Sequence, residues 1–212
     1  MDAFHQALAR IGLDAAGRYG FALAGGYAVQ AAGFLQRPSE DIDLFTVWER
    51  RAEFEAAAAA IVDAYRGAGL SVEAERRHDT FMRLTVSDGE QTAKVELGVD
   101  IRANEPVRIS IGPVLHPDDA VANKIRALYD RALARDFIDI DAVLRSGRYD
   151  RGELLRLAER SDITFDRKVF AEALGQAQLL DDDDFAPYSI MGVDLDYLRH
   201  QFAAWRSELL GG

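Results

Sequence analysis

Residues 24–27 read Ala-Gly-Gly-Tyr, and residues 39–45 read Ser-Glu-Asp-Ile-Asp-Leu-Phe. Together they predict the end of a strand, a paired-glycine turn, a short helix, a loop and a second strand. Gly25 and Gly26 permit a backbone approach that is too close for side chains. The amides that open the following helix can then face an anion.

The second stretch carries two acidic residues, Asp41 and Asp43. On a strand their side chains point to one face, while Ile42 and Leu44 point to the core. Two neighbouring carboxylates are costly unless a cation neutralises them. The glycine pair alone also fits an ordinary turn, and the aspartate pair alone also fits a solvated strand edge. A phosphate-facing turn beside a carboxylate pair predicts Mg²⁺-dependent transfer from a nucleoside triphosphate.

The composition describes a folded, acidic protein of 212 residues, 49% of them hydrophobic, with a net charge of −11 and no cysteine. It predicts one compact domain or a core with a helical appendage, without disulfides or thiolate metal sites. The acidity disfavours broad nucleic-acid binding but leaves room for a local basic groove or a basic protein partner. No apolar run reaches transmembrane length, and the start lacks a secretory signal, so we expect a cytoplasmic protein.

Alternating periodicities predict an α/β (α+β) fold that turns all-helical towards its end. Asp88-Gly89 predicts a hairpin turn between two strands. Pro38 breaks any helix and keeps Arg37 extended. The predicted helices include residues 2–18, 27–35, 50–66 and 120–133, and the predicted strands are 21–24, 41–45, 70–75, 81–86, 91–101 and 107–111.

The strand at 91–101 alternates strictly, with one polar face and one apolar face. A half-solvated strand explains this pattern without any chemistry. The functional interpretation is that one carboxylate, Glu96 or Asp100, joins Asp41 and Asp43 as a third metal ligand or as the base. The polar face comprises Lys94, Glu96, Gly98 and Asp100, and the other face Val95, Leu97, Val99 and Ile101.

The window 124–135 is the dense basic segment of the chain, with a net charge of +3. On so acidic a protein it predicts a funnel for phosphate. A helical lysine such as Lys124 ordinarily faces solvent, so its neutral replacement should cost under ~0.5 kcal/mol of stability.

These motifs resemble those of a known superfamily. Gly25-Gly26 followed by Asp41-Ile42-Asp43 resembles the signature of the DNA polymerase beta-like nucleotidyltransferases. Residues 26–28 with 37–44 resemble more narrowly its AbiEii/AbiGii, or MenT-like, toxin branch. The pattern Ala122-x-Lys124-x-x-Ala127-Leu128-x-x-Arg131, followed by Arg135-Asp136-Phe137-Ile138-Asp139, supports that branch. The resemblance covers roughly residues 20–145.

The resemblance implies a mixed-sheet nucleotidyltransferase core in residues 1–115 and a helical region, 116–212, that completes the active site. Asp41, Asp43 and Glu96 would hold Mg²⁺, in a two-ion site, and Glu96 matches the third acid of the superfamily better than Asp100. Gly25, Gly26 and Tyr27 would approach the phosphates, and Arg37 and Ser39 would assist. Lys124 would bind the triphosphate, and Asp136 would orient it, with Asp139 as the weaker candidate.

The resemblance also implies a toxin of a bacterial toxin–antitoxin pair, with an antitoxin as protein partner. It would transfer a nucleotide from a nucleoside triphosphate to an acceptor hydroxyl, at the 3′ end of tRNA in MenT-like relatives. One alternative is small-molecule adenylyl transfer, as in the aminoglycoside nucleotidyltransferases, whose cationic substrates suit an acidic chain. Another is a catalytically silent binding module, although intact Asp41, Asp43 and Lys124 argue against it.

Overall fold

The computed structural model describes residues 1–35, 37 and 39–211. The chain divides into two compact units, Met1–Ala120 and Val121–Gly212. The boundary expected from the sequence followed residue 115. Among the described residues, no helix has the length and apolar character needed to cross a membrane.

The first unit combines helices with a single sheet. Its helices are α1 (Ala3–Ala16), α2 (Gly25–Ala31) and α3 (Phe54–Gly67), and its strands are β1 (Ala22–Leu23), β2 (Asp41–Val47), β3 (Ser71–His78), β4 (Phe81–Ser87), β5 (Thr92–Asp100), β6 (Val107–Ile109) and β7 (Gly112–Val114).

The described strands form a seven-stranded sheet in the order β3-β4-β5-β2-β1-β7-β6. β2 pairs in parallel with β5, and β1 in parallel with β7, while the other neighbouring pairs are antiparallel. The predicted mixed sheet is therefore confirmed. Its centre is the parallel pair β2 and β5, which carries the acidic residues singled out in the sequence.

Two predicted elements differ from the structure. The helix that was predicted to begin at Tyr27 begins at Gly25, so both glycines belong to its first turn. The single strand predicted at 107–111 is a hairpin of β6 and β7, in which Arg108 pairs with Pro113. Gly112 has a φ of +137°, which glycine tolerates, and the chain turns back there.

One face of the sheet is covered by α1 and α3. Ile42 and Leu44 of β2 are fully buried. Tyr65 of α3 is also fully buried, and its hydroxyl donates a 3.0 Å hydrogen bond to the carbonyl oxygen of Leu8 in α1. These contacts satisfy the one polar atom that the tyrosine carries into the core. The opposite face of β2 is left for the carboxylates.

The second unit is helical, as the sequence predicts. Its core is aromatic: the ring centroids of Phe170 and Trp205 lie 5.3 Å apart, and those of Phe137 and Phe202 lie 5.0 Å apart, both edge to face. Its helices are α4 (Pro117–Arg131), whose first turn counts with the first unit, α5 (Ala134–Arg145), α6 (Arg151–Ser161), α7 (Arg167–Gly175), α8 (Asp182–Phe185) and α9 (Val193–Leu209).

The packing of α1 on the sheet predicts the effect of filling Gly12. A Cβ at Gly12 would lie 2.5 Å from Cδ1 of Leu44 and 2.9 Å from the hydroxyl of Tyr65. We expect Gly12→Ala to lower the free energy of unfolding by about 1–3 kcal/mol, since overpacked cores must shift. Gly17→Ala is the matched control, because that position has open space and a φ of −55°. Equal urea midpoints for the two variants would contradict this packing.

Candidate active site

The paired-glycine turn lies directly against two polar side chains. Gly25 has a φ of +58°, a left-handed conformation that favours glycine. A Cβ at Gly25 would lie 1.7 Å from Oδ2 of Asp43, and one at Gly26 would lie 2.6 Å from Oγ of Ser39. Only residues without side chains let the backbone come this close. The steric reason predicted for the two glycines is thus confirmed, and the turn brings Asp43 and Ser39 together.

Asp41 and Asp43 project from the face of β2 that the helices α1 and α3 do not cover. Both residues are partly exposed, whereas Ile42 and Leu44 between and after them have no exposed surface. This alternation confirms the predicted arrangement, with two carboxylates on one face of the strand. The chain therefore presents paired acids from a rigid central strand, which suits a site that must hold its geometry.

The parallel register sets Glu96 beside Asp43. In the β2–β5 pair, Asp43 is the partner of Glu96, and Asp41 is the partner of Lys94. Partners on neighbouring strands lie about 4.8 Å apart and project to the same face. Glu96 is therefore the nearest acidic neighbour of Asp43 on β5. Its part in the chemistry stays a prediction.

Glu96 is held by Arg83 of β4, a residue that the sequence analysis did not single out. Nε of Arg83 donates to Oε1 of Glu96 over 2.9 Å, and Nη2 donates a second bond to the same oxygen. The hydrogen bond that Arg83 donates to Glu96 is the main cause that raises the pKa of Arg83, and the charge of Asp41 adds to it. Arg83 could have been found by counting outwards from the Asp88-Gly89 turn, because that turn fixes the register of β4 and β5.

Asp100, the alternative third acid, lies at the far end of β5. Its register partner is Val47, four residues along β2 from Asp43. Nε of Arg102 donates to Oδ1 of Asp100 over 3.1 Å, and both side chains are buried. Four residues of strand correspond to about 13 Å. Asp100 is therefore part of a buried ion pair remote from Asp43 along the sheet.

Asp41, Asp43 and Glu96 have the right chemistry to bind a hard cation, but the three carboxylates are not grouped as ligands of one ion. Carboxylate oxygens are the ligands that Mg²⁺ prefers, and Asp41 and Asp43 offer them side by side. Within the part of the chain that the structure describes, no group of three or more acidic, histidine or cysteine side chains is arranged to hold a metal ion. Glu96 is bound to Arg83 instead. The two aspartates fit the ion, and Glu96 could join them only after leaving Arg83.

Tyr27 has a structural role. It is only 2% exposed, and its hydroxyl shares a 2.5 Å hydrogen bond with Nδ1 of His5 and donates to the carbonyl oxygen of Ser39 over 3.3 Å. Burial, and secondly the charge of Asp2, raises the pKa of Tyr27 to about 12. The expected approach of Tyr27 to phosphate is therefore wrong for its hydroxyl, which ties the loop before β2 to α1.

The loop itself is described at Arg37 and at Ser39. Arg37 is partly exposed, and its carbonyl oxygen accepts a hydrogen bond from the side-chain amide of Gln30. Ser39 lies on Gly26 as stated above. Contact of either side chain with phosphate stays a prediction. The expectation for Pro38 lies outside the described residues.

In the second unit, Lys124 is paired with Asp139. The Nζ of Lys124 lies 2.8 Å from Oδ2 of Asp139. Lys124 is 8% exposed, and Asp139 has no exposed surface. The expectation of a solvent-facing lysine is therefore wrong, and the small cost expected for replacing it stays a prediction. A buried ammonium depends on its partner.

Asp136, the residue expected to orient Lys124, contacts a different cation. Nε and Nη2 of Arg131 donate to its two carboxylate oxygens over 2.9 and 2.8 Å. The amide of Leu133 donates to Oδ2 over 3.2 Å. Asp136 therefore caps α5 and fixes the turn before it, and the expected pairing with Lys124 is wrong. Asp139, the weaker candidate from the sequence, lies one helical turn further on and makes the contact with Lys124.

The basic window is largely neutralised by acids outside it. Arg126 lies 3.4 Å from Asp162, which is outside the window, and 3.5 Å from Asp130, which the net charge of the window already includes. With Lys124 on Asp139 and Arg131 on Asp136, counting charges over 124–135 alone overstates the positive field. The predicted phosphate funnel is therefore weaker than the sequence suggested.

Comparison with known proteins decides the family. The profile described as "Nucleotidyl transferase AbiEii toxin, Type IV TA system" matches residues 6–207. The chain belongs to the AbiEii family. The resemblance stated from the sequence is thereby confirmed, and AbiEii membership makes this a nucleotidyltransferase toxin of a type IV toxin–antitoxin system, with a nucleotide substrate and a cognate antitoxin. No curated protein matches the sequence significantly.

Solved structures share the AbiEii fold at low identity. MenT4, a nucleotidyltransferase toxin from Mycobacterium tuberculosis H37Rv, is 16% identical, with a TM-score of 0.55 over 99% of this chain and 92% of that one. A candidate nucleotidyltransferase from Helicobacter pylori is 18% identical, with a TM-score of 0.59 over 97% and 93%. JHP933 from the same species is 18% identical, with a TM-score of 0.53 over 97% and 90%. At these identities the similarity establishes the fold alone.

The two ion pairs of the second unit predict a selective energetic coupling. In double-mutant cycles of unfolding, we expect Lys124→Ala and Asp139→Ala to be coupled by about 1–3 kcal/mol, since each variant removes one side of the same buried ion contact. The control cycle of Lys124→Ala with Asp136→Ala should give a coupling below about 0.5 kcal/mol. Equal coupling in both cycles would contradict the observed partners.

Proposed function

We propose that the protein transfers a nucleotide from a nucleoside triphosphate to an acceptor hydroxyl and releases pyrophosphate. The observation that carries the proposal is the row of acids across β2 and β5, with Asp43 beside Glu96 and against Gly25. Acidic residues on a rigid strand beside a phosphate-accessible turn suit phosphoryl chemistry, which depends on positioning and charge stabilisation. Membership in a nucleotidyltransferase family supports the same reaction.

Asp41 and Asp43 would hold Mg²⁺, in the two-ion arrangement expected from the resemblance. When bound, the ions would offset the charge of the triphosphate and lower the pKa of the attacking hydroxyl. Gly25, which is partly exposed, and Gly26, which is buried, form the turn at the start of α2 that we propose the phosphate oxygens approach. We propose the same turn as the place where the triphosphate is oriented.

Glu96 is the proposed third acid, as metal ligand or as the base that accepts the proton of the acceptor hydroxyl. Its hydrogen bond from Arg83 holds the carboxylate in place on β5. Lys124 is the proposed cation for the triphosphate. Asp139, which holds Lys124 in the structure, takes the orienting role first assigned to Asp136.

The acceptor that the MenT-like resemblance implies is the 3′ end of tRNA. The test is to incubate the purified protein with each α-labelled nucleoside triphosphate, Mg²⁺ and total tRNA, and to separate the products by size. Label in tRNA with one or a few nucleotides would support the proposal. Label in no macromolecule with any of the four nucleotides, at several divalent ion concentrations, would overturn the tRNA assignment. Addition of the cognate antitoxin should then reduce the labelling, and we expect both proteins in the cytoplasm.

The aspartate pair predicts joint loss of activity with retention of fold. We expect Asp41→Asn/Asp43→Asn to lower the transfer rate by at least about 10³-fold, because charge that the ions require is removed. The melting temperature should stay within a few degrees of wild type, since both side chains are partly exposed. Asp63→Asn, an exposed position on α3, is the matched control. A wild-type transfer rate in the double variant would show that these two aspartates do not form the active site.

Glu96 and Asp100 are expected to separate activity from stability. Glu96→Gln should lower the transfer rate by about 10²–10⁴-fold, as loss of a general base does. Asp100→Asn should leave the rate nearly unchanged but cost about 1–3 kcal/mol of stability, because Arg102 loses its buried partner. Measuring the transfer rate and the urea unfolding midpoint of both variants distinguishes the two roles. The reverse pattern would assign the third acid to Asp100.

A further inference from the structure

A row of aromatic residues crosses the sheet next to the row of acids. In the strand registers, Gly98 of β5 is the partner of Phe45 on β2 and of Phe81 on β4. Register partners project to the same face, so Phe45 and Phe81 share the face of Asp43 and Glu96. The opposite face of the same strands is the buried core, which includes Leu84 and Leu97.

Gly98 makes room for the ring of Phe45. A Cβ at Gly98 would lie 2.9 Å from both Cδ1 and Cε1 of that ring. The ring therefore occupies the space of the missing side chain on β5. Phe45 and Phe81 are both partly exposed, unlike the phenylalanines that build the core of the protein. Both rings therefore lie outside the core, on the sheet face that carries the acids.

The distance from the acids suits a nucleotide. Phe45 follows Asp43 by two residues, and Gly98 follows Glu96 by two, so the rows are about 6.6 Å apart. In a nucleotide, the sugar keeps the base at a comparable distance from the reacting phosphate or hydroxyl. A base placed on the aromatic row would thus leave the reacting group at the acids.

We propose that Phe45 and Phe81, separated by Gly98, form a stacking platform for a nucleobase. The inference rests on the proposed nucleotidyl transfer and adds the contact that recognises the base. The base belongs either to the incoming triphosphate or to the end of the acceptor, since both carry the same chemistry. Stacking tolerates any base, because every base has an aromatic face.

Binding can be measured directly with Phe81→Trp as a fluorescent reporter, with the wild-type protein correcting for its two native tryptophans. A nucleobase stacked on the new indole should quench it. The probes are a nucleoside triphosphate, a short oligoribonucleotide and inorganic tripolyphosphate, which lacks a base. Quenching by the triphosphate alone assigns the platform to the incoming nucleotide, and quenching by the oligoribonucleotide alone assigns it to the acceptor. Quenching by tripolyphosphate to the same extent would overturn stacking.

Side-chain replacement supplies the second measurement. We expect Phe45→Leu and Phe81→Leu each to weaken binding of the base-bearing probe by about 5- to 150-fold, the range for loss of one stacking ring. Phe45→Tyr and Phe81→Tyr should bind as wild type. Gly98→Ala should resemble Phe45→Leu, because its methyl group displaces the ring. Trp48→Leu is the control, as an exposed aromatic beyond the end of β2.

The outcomes distinguish the platform from the proposed reaction. If the leucine variants fold and bind every probe as tightly as wild type, the platform is wrong, and nucleotidyl transfer is untouched. If quenching and the leucine effects are found but no transfer occurs to any acceptor, the platform stands as a nucleobase site and the proposed reaction fails.

Discussion

The parallel pairing of β2 with β5 is the constraint on which the rest of the first unit depends. These strands are distant in sequence, and no turn sets their register. The register is fixed instead by their buried faces, because a slip of one residue would turn Ile42, Leu44, Val95 and Leu97 to the other face. The same choice that buries these side chains aligns Asp43 with Glu96 and Phe45 with Gly98. Packing on one face of the sheet therefore determines the chemistry available on the other.

The sequence was sufficient for the features that depend on local rules. Alternation along β2 and β5 predicted which side chains are buried, and the glycine pair predicted the close approach at the turn. The residues that were missed depend on distant partners. Arg83 contacts Glu96 across a hairpin, Lys124 contacts Asp139 and not Asp136, and Tyr27 is buried against α1. Composition and periodicity carry no information about such pairings, although the hairpin register could have been counted.

Charge in this protein is organised in pairs. Arg83 with Glu96, Arg102 with Asp100, Lys124 with Asp139 and Arg131 with Asp136 each join a cation to an acid that a window count would treat separately. Such pairs explain how a chain of net charge −11 can carry basic residues near its motifs without a broad positive surface.

Gly25 has a consequence for how the gene can change. Every missense change in a glycine codon adds a Cβ, and at this position the Cβ would meet the carboxylate of Asp43 at 1.7 Å. The left-handed backbone at the same residue penalises each replacement a second time. A single codon change at Gly25 therefore disturbs the turn that lies against Asp43, without any deletion or frameshift.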